Sequence, residues 1–162
     1  MIYLSGGLSP SYVDRYPHPR LGYMLTFPKA SRGDRTSRPF AFDNGCFANP
    51  TAYDDDKYLA WLDRRERSGC LFATAPDVVG DWRATLARAT PMLARIRALG
   101  YPVAFVAQDG LDVTALDWNA FDVIFVGGST AYKLSESAYA LPALAHSYDK
   151  RAHMGRVNSR IR

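Results

Sequence analysis

Short, unbroken apolar runs separated by longer amphipathic stretches set the rhythm of this chain. Ile2–Leu4, Leu21–Phe27, Phe40–Phe42, Cys70–Ala75, Pro102–Ala107, Phe121–Val126 and Ala152–Met154 each read as a strand, and none alternates with polar residues. Strands lacking alternation are covered on both faces, as in parallel sheets. The intervening stretches read as helices. One opens at Asn49-Pro50-Thr51, places Asp54, Asp55 and Asp56 in its first turn, and spaces Tyr58, Leu59, Trp61 and Leu62 helically. Arg64, Arg65 and Arg67 close it and Gly69 caps it. Trp82–Leu99 is the clearest helix, with a stripe of Leu86, Met92, Leu93 and Ile96 stopped by Gly100. Leu134–Ala145 reads as mixed helix interrupted at Pro142, and Asn158–Arg162 starts another. The order predicts one α/β domain over residues 1–162. It is either a doubly wound sheet or a (β/α)8 barrel of the TIM type, incomplete because about seven strands can be counted where eight close a barrel.

Chemistry collects where these runs end. In barrels and open parallel sheets alike, ligands sit at the carboxyl ends of the strands. Those ends carry Asp43, Asp77, Gln108, the pair Gly127-Gly128, and Met154 with Gly155. Carboxylates accept from ring N–H and amino groups, and a glutamine offers a donor and an acceptor. A glycine pair lets backbone N–H groups approach a carbonyl oxygen, and methionine packs on a ring face. The set suits a flat heterocycle with an amide edge. Other readings stay open at each position. Asp43-Asn44-Gly45 is also a hairpin-turn signal, Asp77 could cap the segment at Val78, and Gln108-Asp109-Gly110 could be a simple turn. Gly127-Gly128-Ser129-Thr130 could cradle phosphate.

Composition adds a bias and several exclusions. The net charge is +4, and sixteen arginines outnumber four lysines. Arginine suits bidentate phosphate contact, so Arg32, Arg35, Arg38, Arg151, Arg156 and Arg160 are candidates for binding nucleic acid. Two cysteines, Cys46 and Cys70, are too few for a disulfide framework or a zinc cluster. His18, His146 and His153 have no metal-pair spacing, so neither metal nor cofactor is expected. No apolar window is long enough for a membrane span and the N-terminus lacks a signal peptide's basic head, which favours a cytoplasmic setting. Cys46, beside Asp43, lacks a paired base that would activate a thiol.

Five segments in order resemble the tRNA-guanine transglycosylases and their phage and bacterial DNA-modifying relatives. They are Phe42-Asp43-Asn44-Gly45-Cys46-Phe47, Ala75-Pro76-Asp77, Val106-Ala107-Gln108-Asp109-Gly110, Val126-Gly127-Gly128-Ser129 and His153-Met154-Gly155-Arg156-Val157. The first is similar to that family's Asp-Ser-Gly-Gly-Phe motif, the third to Val-Gln-Gly-Gly, and the last to Met-Gly-Val-Gly. The resemblance implies a (β/α)8 barrel that exchanges guanine in a polynucleotide for a 7-deazaguanine base through a covalent glycosyl-enzyme. It implies that Asp43 is the acid/base carboxylate, and that Asp77, Gln108, Gly128 and Met154 line the base pocket. The target nucleotide would leave its stack to enter. The family's Cys3His zinc site is absent, which with the short length favours DNA over tRNA as the partner. The attacking aspartate is expected on the strand after the Met-Gly strand, beyond Arg162, in a continuation, a partner chain or a second copy. Two rival expectations stand beside this one. One is a non-catalytic nucleic-acid- or base-binding remnant of such a barrel; the other is an unrelated barrel enzyme that grips a phosphorylated small molecule through Gly127-Gly128.

Overall fold

The computed structural model describes residues 1–6, 15, 18–29, 38–48 and 50–156. Seven strands form one sheet: β1 (Tyr3–Ser5), β2 (Leu21–Thr26), β3 (Phe40–Asp43), β4 (Cys70–Thr74), β5 (Val103–Ala107), β6 (Val123–Val126) and β7 (Arg151–Met154). Every neighbouring pair is parallel, and the spatial order is the order of sequence. A doubly wound sheet reverses its strand order at a switch point. This sheet has none. The parallel pairing of β3 with both neighbours also removes the hairpin reading of Asp43-Asn44-Gly45.

Between the strands run the helices α1 (Asp55–Asp63), α2 (Trp82–Ala98), α3 (Thr130–Lys133) and α4 (Glu136–Ser147). Residues of α1, α2 and α4 pack into one core with Phe40, Phe42, Val103, Phe105, Ile124 and Val126 of the sheet. The opposite face holds a second cluster made from strands alone, with Ala41, Phe72, Ala104 and Val123 at its centre and Leu4, Met24 and Phe125 around it. An apolar sheet face with no helix over it must be buried against itself, and curling does this. In a flat sheet, strands three apart are separated by about 14 Å. The Phe72 ring of β4 and the His153 ring of β7 nevertheless have centroids 5.3 Å apart, and Arg151 donates to the Leu71 carbonyl at 2.9 Å. The result is an α/β half-barrel, a curled parallel sheet with its helices outside.

Local chemistry explains where the helices differ from expectation. Helix α1 begins at Asp55, because the Asp54 carboxylate accepts from the Lys57 N–H at 2.8 Å and fixes the N-cap there. The expected start at Asn49-Pro50-Thr51 is therefore too early. Arg64 is the C-cap and no basic residue lies in the last turn, so Gly69, at φ +79°, turns the chain into β4 and does not cap α1. Pro142 lies inside α4, whose buried face of Ala138, Leu141 and Ala145 holds it to the sheet. The interruption falls earlier, at Leu134-Ser135, where the Ser135 hydroxyl caps the new helix. Asn158–Arg162, read as a further helix, lies outside the described residues.

Helix α1 is locked over β3 by aromatic rings. Phe42, fully buried, meets Trp61 and Tyr101 edge-on at 5.1 and 5.7 Å. Tyr58, equally buried, donates to the Thr74 carbonyl at 3.0 Å. Phe42→Ala is expected to lower unfolding free energy by about 3–5 kcal/mol. Tyr139→Ala, at a residue 84% exposed, should move it by less than about 0.5 kcal/mol. Urea midpoints at unchanged m-value measure both, and equal effects would contradict this packing.

Candidate functional site at the strand carboxyl ends

Asp43 is the last residue of β3, and the chain turns sharply after it. Gly45 sits at φ +78°, and a Cβ there would collide with the Phe27 carbonyl, so glycine is required twice over. The turn buries Asn44, which is 1% exposed, and each of its polar groups is bonded. Its backbone N–H donates to Thr74 Oγ1 at 2.8 Å. Its Nδ2 donates to the Ala75 carbonyl at 2.7 Å and to Asp77 Oδ1 at 2.9 Å. Its Oδ1 accepts from the Cys46 N–H at 2.7 Å. One amide therefore ties the end of β3 to the end of β4.

The second oxygen of Asp77 is held from the other side. Gln108, just beyond β5 and 1% exposed, donates from Nε2 to Asp77 Oδ2 at 2.6 Å and accepts from the Gly80 N–H at 2.9 Å. Three successive strand ends thus form one line, Asn44–Asp77–Gln108. The bond to Gly80 fixes which end of the Gln108 amide faces Asp77. Beyond β6, Gly127 lies so close to Val106 and Gln108 that a side chain would press on both, and Gly128 has φ +75° beside Asp109 and Tyr132. The Gly127 N–H donates to Ala107 O at 2.9 Å, which leaves Gly128 as the member of the pair whose N–H has no backbone acceptor among the described residues. Asp109 accepts from the Ser129 N–H at 2.8 Å and from the Ser129 hydroxyl.

The two inner aspartates are both costly to ionise. Burial pushes the Asp43 carboxyl above its ordinary value, and Thr26, the Gly45 N–H and the Arg156 charge pull it back only in part. Burial pushes Asp77 up to about 6; the Asn44 amide opposes this, while the nearby Asp43 charge adds to it. Two coupled carboxyl groups with raised proton affinity, at the mouth of a parallel sheet, can hold and release a proton near neutral pH. Burial also pushes the Cys46 thiol up to about 12, so it stays protonated and does not serve as a nucleophile.

The structure gathers some of the expected residues and disperses others. Asp43, Asp77, Gln108, Gly127, Gly128 and Gly155 come together at one end of the sheet. Met154 does not join them. It packs with the helix-side core, because strand alternation gives the concave side to His153, against Phe72 and Phe125, and to Gly155. The arginines split likewise. Arg38 precedes β3 and bonds the His18 carbonyl at 3.2 Å, and Arg151 begins β7, so both lie at the amino ends of the strands, away from the site. Arg156 follows β7 and stands at the carboxyl ends, while Arg32, Arg35 and Arg160 lie outside the described residues. Asn44, Thr74 and Thr26 carry the site although they were not singled out in the sequence. Only the parallel register Thr26↔Asp43 and the adjacency of β3 and β4 bring them in.

No group of three or more His, Cys, Asp or Glu among the described residues could hold a metal ion. Nor is any described helix long and apolar enough to cross a membrane. Comparison of the chain with family models, with curated proteins and with solved structures finds no match.

The raised Asp77 value has a consequence for stability. An aspartate at about 6 in the fold and 3.8 in its ordinary state favours the folded protein below pH 3.8, and this contribution is lost as pH rises through 6. The difference corresponds to about 3 kcal/mol. Asp77→Asn removes this dependence, at a pH-independent cost of about 1–3 kcal/mol for the amide left facing an amide. Urea unfolding should therefore show the variant gaining about 3 kcal/mol relative to wild type between pH 4 and pH 7. A difference that is the same at both pH values would show that Asp77 is not desolvated.

Proposed function

We propose that this protein is a nucleobase-exchanging glycosyltransferase of the guanine transglycosylase type, replacing guanine in DNA with a 7-deazaguanine base. The observation that supports this most is the Asp77 carboxylate, held by two side-chain amides at the mouth of the half-barrel beside a second aspartate. Such a carboxylate is aimed before any ligand arrives, and aiming it costs no reorganisation on binding. Guanine and 7-deazaguanine present a ring N–H and an amino group on one edge, and a fixed carboxylate accepts from both. In this reading Asn44 and Gln108 position Asp77 and do not themselves read the base. Gln108, bonded on both ends and almost wholly buried, has little left to offer a ligand. The Gly128 N–H is placed to meet a carbonyl oxygen.

Exchange at an anomeric carbon needs a group that attacks C1′, a group that manages the proton of the departing and entering bases, and a pocket that recognises them. Asp43 takes the second role. Its raised proton affinity allows it to give a proton to departing guanine and accept one from the entering base. By the resemblance of the five segments, attack on C1′ falls to an aspartate on a strand following β7, and the outer edge of β7 is where such a strand would pair.

The test is incorporation of labelled guanine into guanine-containing DNA, with the full-length protein and with variants. Asp43→Asn should reduce exchange by about a thousandfold or more, within the range attributed to a positioned acid/base. Asn44→Ala should reduce it less and raise KM for the free base, because it loosens Asp77 without removing it. Exchange by Asp43→Asn at the wild-type rate would sink the assignment.

A further inference from the structure

The rim of the site carries an aromatic ring and a cation that the pocket chemistry leaves unused. Phe47 follows the Asp43–Gly45 turn and is 55% exposed, unusual for a phenylalanine. The guanidinium carbon of Arg156 lies 3.8 Å from its ring centroid. Arg156 comes from the other side of the site, after β7, and is itself exposed, with φ +47°. A side chain in that left-handed conformation is strained relative to glycine. Stacking uses the face of the guanidinium and none of the five donors on its N–H edge, and its charge also reaches the Asp43 carboxylate. Among the described residues no hydrogen bond or salt bridge uses that edge. The same rim holds Lys133, whose ammonium is lowered first by burial and then by the Arg156 charge, with the Asp109 carboxylate pulling it back only in part. Two cations brought within reach of one another beside a site are relieved by an anion between them.

We infer that Phe47, Arg156 and Lys133 form a clamp for the nucleotide adjoining the one whose base enters the pocket. Arg156 and Lys133 hold its phosphate, and the exposed part of the Phe47 ring stacks on its base. This rests on the proposed exchange of bases in DNA and adds how the strand is held while one nucleotide is out of its stack. An extruded nucleotide leaves a neighbour without a stacking partner, and an exposed aromatic ring replaces the loss. The bidentate edge of arginine matches a phosphodiester, with lysine adding a point charge. At the opposite end of the sheet, Arg38 and Arg151 donate to backbone carbonyls.

The experiment uses the full chain and a fluorescent single-stranded DNA oligonucleotide containing one guanine, with anisotropy read across a salt series. Free guanine binding is measured in parallel by calorimetry. Arg156→Gly relieves the backbone strain, so the variant is expected to fold. It should bind the oligonucleotide about tenfold more weakly and lower the slope of log affinity against log salt by about 0.7, the value for one single-strand phosphate contact. Phe47→Leu should weaken oligonucleotide binding at least about fivefold with an unchanged slope, as loss of stacking requires. Phe47→Leu should bind free guanine as wild type does. Unchanged oligonucleotide affinity and slope in Arg156→Gly would overturn the clamp, and so would wild-type protein that binds no oligonucleotide. If instead the variants lose DNA binding while wild type binds no guanine, the clamp stands and the base-exchange reading fails.

Discussion

One buried amide, the side chain of Asn44, holds this site together. Its Nδ2 donates to Ala75 O and Asp77 Oδ1, its oxygen accepts from the Cys46 N–H, and its own N–H donates to a fourth partner, Thr74 Oγ1. A buried amide with all its bonds made is inexpensive, whereas one left partly unbonded costs about 1–3 kcal/mol for each lost partner. The turn after β3 and the loop after β4 can therefore adopt only relative positions that satisfy Asn44. Asp77 is placed by the same constraint and finished by Gln108. Without this link, a carboxylate at a strand end would rotate to solvent and ionise at its ordinary value.

The fold supplies the setting at low cost. Among the described residues helices pack on one face, and the strands close the other face by curling around Phe72, Phe125 and His153. Burial lowers the His153 imidazole to about 4, so it is neutral at physiological pH and fills space between two rings. The curl turns the strand ends toward one another, and residues 30 or more positions apart come within hydrogen-bond distance. Stability and chemistry pull against each other at that point. Burial that raises the proton affinity of Asp43 and Asp77 makes them useful for proton transfer and penalises the folded state at neutral pH.

Much of the architecture was legible in the sequence. Seven unbroken apolar runs with helices between them yielded seven parallel strands, whose carboxyl ends bring Asp43, Asp77 and Gln108 together. Boundaries failed where a polar side chain decided them. Asp54 outcompeted Pro50 for the start of α1 because a carboxylate accepts an N–H that proline merely lacks. Pro142 was tolerated because three buried residues on the same helix hold it down. The role of Asn44 was hidden, since Asp-Asn-Gly reads locally as a turn and its partners lie on the next strand. Met154 was misplaced by one step of strand parity: motif position suggested the pocket, but alternation sends it to the helix side. Of the arginines named from the sequence, Arg156 is the described one at the carboxyl ends, brought there by the curl that carries β7 round.

The central claim is that Asp77 is a pre-aimed carboxylate acceptor whose ionisation is shifted into the range where the protein works. Calorimetric binding of free 7-deazaguanine between pH 5 and pH 8 tests it most directly, because that ligand edge does not titrate there. Affinity should rise as pH passes through about 6 and level off above it, as ionised Asp77 becomes the dominant form. The rise should be absent in Asp77→Asn, which should also bind more weakly at pH 8. Wild-type affinity that is flat across the range, or a variant that binds as tightly as wild type, would contradict the account.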